Sequence, residues 1–65
     1  MSYHKGMMLR CVVTDLTYFT YQGLYEVLSD PEVSSDGDLA ITVCDDEEDV
    51  HYLSLHFIPT RFVIE

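Results

Sequence analysis

Positive charge is what this chain has least of: Lys5, Arg10 and Arg61 stand against twelve Asp and Glu, for a formal net charge of −9 over 65 residues. That imbalance disfavours direct binding to nucleic-acid phosphates or to anionic lipid, since both would be approached against repulsion. Long hydrophobic runs are missing as well. No apolar run exceeds three residues, as in Phe62-Val63-Ile64, whereas a membrane helix needs ~20 and a signal peptide ~7–15. Cysteine is scarce: Cys11 and Cys44 form neither a disulfide framework nor a CxxC metal knuckle. Without a secretion signal, two reduced thiols and a cytoplasmic location are expected. A bond between them would require β-carbons within ~4.5 Å.

What the chain does have is apolar content of 48%, with five Tyr and three Phe, too hydrophobic for intrinsic disorder. Its length allows one core, and a domain of this size buries only ~60% of the surface its unfolded chain exposes. A separate catalytic domain has no room. The polar segment Met1 to Gly6 precedes a second methionine at Met7 and is expected to be a flexible leader, residues 1–6, before a single domain at 7–65.

Period-two alternation then marks strands. Met8 to Asp15 sets Leu9, Cys11 and Val13 against Arg10, Val12 and Thr14, the pattern of a half-buried strand. Leu16 to Gly23, with three aromatics, reads as an irregular loop packed over the core; its Thr, Tyr and Gly residues are poor choices for a helix interior. Leu24 to Leu28 is the second strand. Ser29 to Asp38, containing Pro31, Gly37 and four acids, is expected to be a turn-rich exposed loop. Leu39 to Cys44 is the third strand, with Leu39, Ile41 and Val43 expected inward. Asp45 to Asp49 and Val50 to Phe57 continue as an acidic hairpin and fourth strand. The hairpin lacks Asn-Gly or Asp-Gly, which predicts a longer or bulged connection. Pro59 has no N–H for a ladder, so Ile58 to Arg61 is expected to be a 3₁₀ turn before a last strand, Phe62 to Ile64.

This order resembles an SH3-like barrel. The phrase Phe19-Thr20-Tyr21-Gln22-Gly23-Leu24-Tyr25-Glu26-Val27, followed by Cys44-Asp45-Asp46-Glu47-Glu48-Asp49 and by Arg61-Phe62, is similar to small bacteriophage-encoded barrels that run "Leu-Thr-x-Gly-Lys-x-Tyr-x-Val" and then "Asp-Asp-x-Gly". The likeness extends from Leu9 to Ile64. Gln22 stands where that pattern has Gly, Gly23 where it has Lys, and Glu48 where its hairpin has Gly. The resemblance implies an all-β, small five-stranded antiparallel SH3-like barrel of viral origin, acting in the host cytoplasm. It carries no catalytic residues over.

Candidate chemistries fail on spacing. An EF-hand loop with Gly37 sixth would begin at Glu32 and place Val43 where an acid is required. His51 and His56 are an odd number of residues apart, so a regular strand sends them to opposite faces. His51 is expected instead to pair across the hairpin with an acidic neighbour. Ser54 and His56 share a face at ~6.8 Å, too far for direct activation of the hydroxyl. No catalytic residues, metal ligands or cofactors are therefore assigned.

The acids are the functional candidates. Nine of the twelve lie between Asp30 and Asp49, a stretch with no Lys or Arg: Asp30, Glu32, Asp36, Asp38, Asp45, Asp46, Glu47, Glu48 and Asp49. On extended chain, alternate carboxylates line up every ~7 Å, a spacing that imitates a phosphate row. A width of ~28 Å of duplex would carry ~16 charges, so one copy imitates at most a single strand. Tyr18, Phe19 and Tyr21 are the secondary contact candidates, although base stacking would need a basic groove that is absent here. The expected role is a non-catalytic protein docking on a basic host protein surface and modulating it. The alternatives are a self-associating module, including a homodimer, whose acidity serves solubility, and a small-molecule site at an oligomer interface.

Overall fold

The computed structural model describes residues 2–65; Met1, the first residue of the expected leader, lies outside them. Alternating apolar residues build two three-stranded antiparallel sheets. The first has the order β2-β1-β6, from β1 (Met8–Cys11), β2 (Leu24–Glu26) and β6 (Phe62–Ile64). The second has the order β3-β4-β5, from β3 (Glu32–Val33), β4 (Leu39–Cys44) and β5 (Val50–Ser54). A bridge between Val27 and Val43 joins them, and the Leu28 N–H donates to the Thr42 carbonyl at 2.8 Å. The described residues are therefore all-β, with six strands and no closed barrel among them rather than five strands in one.

The sixth strand arises inside the expected Ser29 to Asp38 loop. Glu32 and Val33 pair with Ala40 and Leu39, and the connecting turn is closed by the Ser34 N–H to the Asp38 carbonyl (2.7 Å) and the Gly37 N–H to the Ser34 carbonyl (3.0 Å). Gly37 holds φ of 93°, a left-handed conformation that costs glycine nothing.

β4 and β6 run over the residues their alternation predicts, whereas the expected strands Met8 to Asp15, Leu24 to Leu28 and Val50 to Phe57 end early, at Cys11, Glu26 and Ser54. Beyond Cys11 the β1 ladders run out into the Gln22 turn on one side and the Ile58–Arg61 turn on the other: the Gln22 N–H donates to the Cys11 carbonyl (2.7 Å) and the Val12 N–H to the Arg61 carbonyl (2.9 Å). β5 stops at Ser54 because the Phe57 N–H donates back to its carbonyl (3.0 Å). Ile58–Arg61 is a single α-helical turn, α1, in place of the expected 3₁₀ turn. Pro59 sits in its first turn, where an N–H would have no intrahelical partner.

The core lies between the sheets: Leu9 and Cys11 from β1, Tyr25 from β2, Val27, Ile41 and Val43, Leu53, Ile58 and Phe62, closed by Phe19 from the loop. Phe19 meets Tyr25 edge-on at 4.9 Å and Phe62 at 5.4 Å, the geometry aromatic quadrupoles favour. Residues 2–6, expected as a flexible leader, touch the body: Tyr3 is only 7% exposed, the Gly6 N–H donates to the Val27 carbonyl (2.8 Å), and just beyond them the Val27 N–H donates to the Met7 carbonyl (2.8 Å). One expectation about burial is corrected. Leu39, expected inward, is 46% exposed, because it pairs with Val33 where β4 runs past the end of the core.

Candidate functional site

The nine acids of Asp30 to Asp49 divide into two groups at opposite ends of β4, whose six residues separate them by ~17 Å. Neither group forms the extended row expected from the sequence. Both acidic segments are tight turns.

At the β4–β5 end, Asp45 is not a surface acid. It is buried, and its Oδ1 accepts the N–H groups of Glu47 (2.8 Å) and Asp49 (2.9 Å). Its Oδ2 lies 2.6 Å from Nε2 of His51, the cross-hairpin pairing expected of that histidine. An aspartate opening a turn takes this role because its short side chain reaches the backbone two residues on. Burial pushes the Asp45 carboxyl up, but the N–H groups of Asp49 and Glu47, with His51, hold it below the ordinary carboxylate value.

Asp46 is also committed. It accepts the Tyr25 hydroxyl at Oδ1 and the Thr20 hydroxyl at Oδ2, both at 2.7 Å, while its own N–H donates to the Tyr18 carbonyl (3.0 Å). The Tyr25 oxygen in turn accepts the Thr20 N–H (2.7 Å). The hairpin tip is thereby clamped onto the Leu16 to Gly23 loop. Burial, then the neighbouring Asp46 carboxylate, raises the Tyr25 hydroxyl above its usual value. Glu47, Glu48 and Asp49 remain as exposed carboxylates.

At the other end, Asp30 accepts the Lys5 N–H (2.9 Å) and helps anchor the N-terminal segment. Asp36 is held by the Ser34 hydroxyl and by the Asp38 N–H (3.2 Å), which keep its carboxyl below the ordinary range. The Asp38 carbonyl accepts the Ser34 hydroxyl (2.9 Å). Glu32, Asp36 and Asp38 rim a groove of about 550 Å³ on the outer face of the β3–β4–β5 sheet. Ala40 forms its floor, and Tyr52, 76% exposed, stands beside it. A narrower extension of about 230 Å³ continues past Ser29 and Thr42.

Of the secondary aromatic candidates, Tyr18 and Tyr21 are exposed, but Phe19 is buried in the core and unavailable as a contact. Tyr52 was the aromatic to single out. The alternation that turns Leu53 inward necessarily turns Tyr52 outward, opposite Thr42 in the register. Cys11 and Cys44 are free thiols. Among the described residues no three His, Cys, Asp or Glu side chains converge as metal ligands, and no helix is long and apolar enough to cross a membrane. No protein-family model, curated protein or solved structure matches the chain.

Proposed function

We propose that this chain is a non-catalytic binding protein that docks through its acidic surface on a basic protein surface and modulates that partner. The observation that carries the reading is charge left uncompensated. Among the described residues the ion pairs are Arg10 with Glu65 and His51 with Asp45. Glu32, Asp36, Asp38, Glu47, Glu48 and Asp49 are exposed with no basic side chain beside them. A field of one sign on so small a body steers oppositely charged partners and speeds their encounter.

We read the architecture as an opened SH3-like barrel. The Val27–Val43 bridge makes the path β6-β1-β2-β4-β5 continuous, and Gln22 and Glu48, the non-glycine residues at glycine positions of the phage barrel pattern, both hold positive φ. A viral protein acting on a host protein in the host cytoplasm is the reading that the resemblance alone suggests.

Affinity capture from host lysate at low and high salt, followed by mass spectrometry, tests the reading. A basic partner retained at low salt should be lost at high salt, where screening shortens the interaction to ~8 Å or less. It should also be lost when Glu32, Asp36, Asp38, Glu47, Glu48 and Asp49 are all neutralised. A partner held equally well by that variant refutes the proposal.

Self-association is the second reading, favoured by one observation: β5 is an edge strand with Val50 and Tyr52 exposed on it, and open edges pair with other chains. A net charge of −9 opposes it. Sedimentation showing a salt-insensitive oligomer would establish it, and a strict monomer would exclude it.

A further inference from the structure

The groove over Ala40 is chemically more specific than the acidity around it. Ala40 lies in register between Glu32 on β3 and Ser54 on β5. Strands stand ~4.8 Å apart, so a methyl group flanked by two longer side chains leaves a depression, and Ala40 is still reachable at its base (8% exposed). Two register pairs along, and so on the same face, Tyr52 is opposite Thr42. The short threonine, fixed by its hydroxyl contact with Ser29 at 2.8 Å, leaves the phenol ring uncovered.

The two cavities of this face share Glu32, Val33, Ser34, Ala40 and Tyr52. They are one elongated trough running from the Ser34–Asp38 turn toward Ser29 and Thr42. Its combined shape suits a stretch of extended chain more than a compact ligand. Its rim is acidic, and one member is held in place: Ser34 bonds the Asp36 carboxylate and the Asp38 carbonyl, so little conformational freedom is lost when a ligand meets Asp36. No lysine or arginine lines it. Arg10 is engaged by Glu65 and the Gln22 carbonyl, and Arg61 lies over the Phe57 ring.

We propose that this trough is the seat of the docking, a deepening that rests on the acidic-docking reading above: it takes an extended arginine- or lysine-bearing segment of the partner protein. One cationic side chain lies on the face of Tyr52, and neighbouring ones meet Glu32, Asp36 and Asp38. The pairing of an exposed aromatic face with carboxylates selects an organic cation over a metal ion, because the ring quadrupole attracts a weakly hydrated guanidinium while offering a metal no ligand. Nucleic acid is repelled by the same carboxylates.

The test uses the full isotopically labelled chain, titrated at low salt with a short peptide alternating arginine and glycine. The same peptide with glutamate for arginine is the control. The expected result is amide shifts at Ala40, Thr42, Tyr52 and Ser54, with no binding of the glutamate peptide. Tyr52→Ala should weaken arginine-peptide binding about fivefold or more, while Tyr52→Phe, which keeps the ring face, should retain it. Tyr52 is exposed, so neither variant endangers folding. Shifts confined to residues 45–49 with unchanged affinity in Tyr52→Ala would overturn the groove and leave acidic docking standing. Absence of arginine-peptide binding would also overturn the groove, with lysate capture then deciding the broader reading. Equal binding of both peptides would remove the charge basis of both.

Discussion

Gln22, with φ of 71°, and Glu48, with φ of 64°, hold left-handed backbone without glycine's freedom to do so. Each occupies the tight position of a turn: the Gly23 N–H reaches the Thr20 carbonyl (2.8 Å) around Gln22, and the Glu48 N–H reaches the Asp45 carbonyl (3.1 Å). A side chain there costs about 1 kcal/mol. Gln22→Gly and Glu48→Gly should each raise the urea midpoint by the equivalent of about 1 kcal/mol, additively because the turns are separate. Gln22→Gly is the cleaner of the two, since it leaves the charge unchanged. A lowered midpoint in that variant would show that the strain is relieved elsewhere. Asp45 supplies the pH dependence at this scale. Its folded carboxyl lies below the ordinary value, so its stabilisation is present above the unfolded value of ~3.9 and is lost as pH falls through the folded one. Asp45→Asn should flatten the acid limb of the stability curve in equilibrium unfolding measured from neutral pH downward, and an unchanged limb would count against the bonds assigned to its carboxylate from Asp49, Glu47 and His51.

At the scale of elements, the two hairpins of the second sheet close in the same way with different residues. The β3–β4 turn places Gly37 at the left-handed position, and the β4–β5 turn places Glu48 there. In each, the N–H of the first turn residue donates across to the carbonyl of the fifth, Ser34 to Asp38 and Asp45 to Asp49. The second hairpin is further tied to the Leu16 to Gly23 loop by Tyr25, whose hydroxyl donates to Asp46 and accepts the Thr20 N–H. Tyr25→Phe removes both bonds while preserving the ring that packs on Phe19 and Phe62. A loss of about 1–3 kcal/mol is expected from the unsatisfied partners. Hydrogen exchange should accelerate first at Thr20 and Asp46, whereas uniform acceleration across both sheets would mean that the clamp is part of the global core.

At the scale of the whole molecule, nine uncompensated negative charges lie on a body of 28 × 22 × 19 Å. Self-repulsion on so small a surface opposes folding and is relieved by salt. Raising ionic strength at neutral pH should therefore increase the thermal midpoint, even as it weakens binding to any basic partner. A midpoint that falls with salt would mean that the two ion pairs outweigh the repulsion. The first of these, Arg10 with Glu65, joins β1 to the residue after β6 at the surface, where such pairs contribute little.

The amino-acid sequence by itself determined the strand class, the placement of β4 and β6, the bulged character of the acidic hairpin and the concentration of negative charge. Each of these follows from local pattern: alternation on a pleat, proline without a donor, turn residues, and the absence of lysine and arginine from one stretch. Where β1 ends was decided elsewhere, because Cys11 and Val12 meet the Gln22 turn and Arg61, partners brought near only by folding. The acids show the same division most clearly. Five consecutive carboxylates look alike as a sequence, yet Asp45 is buried against His51, Asp46 is spent on Tyr25 and Thr20, and Glu47, Glu48 and Asp49 face solvent. The turn direction and the cross-strand register assign those fates. The trough beside Tyr52 likewise exists only once β3, β4 and β5 stand side by side, since a depression is a property of neighbours across strands and not of residues along one.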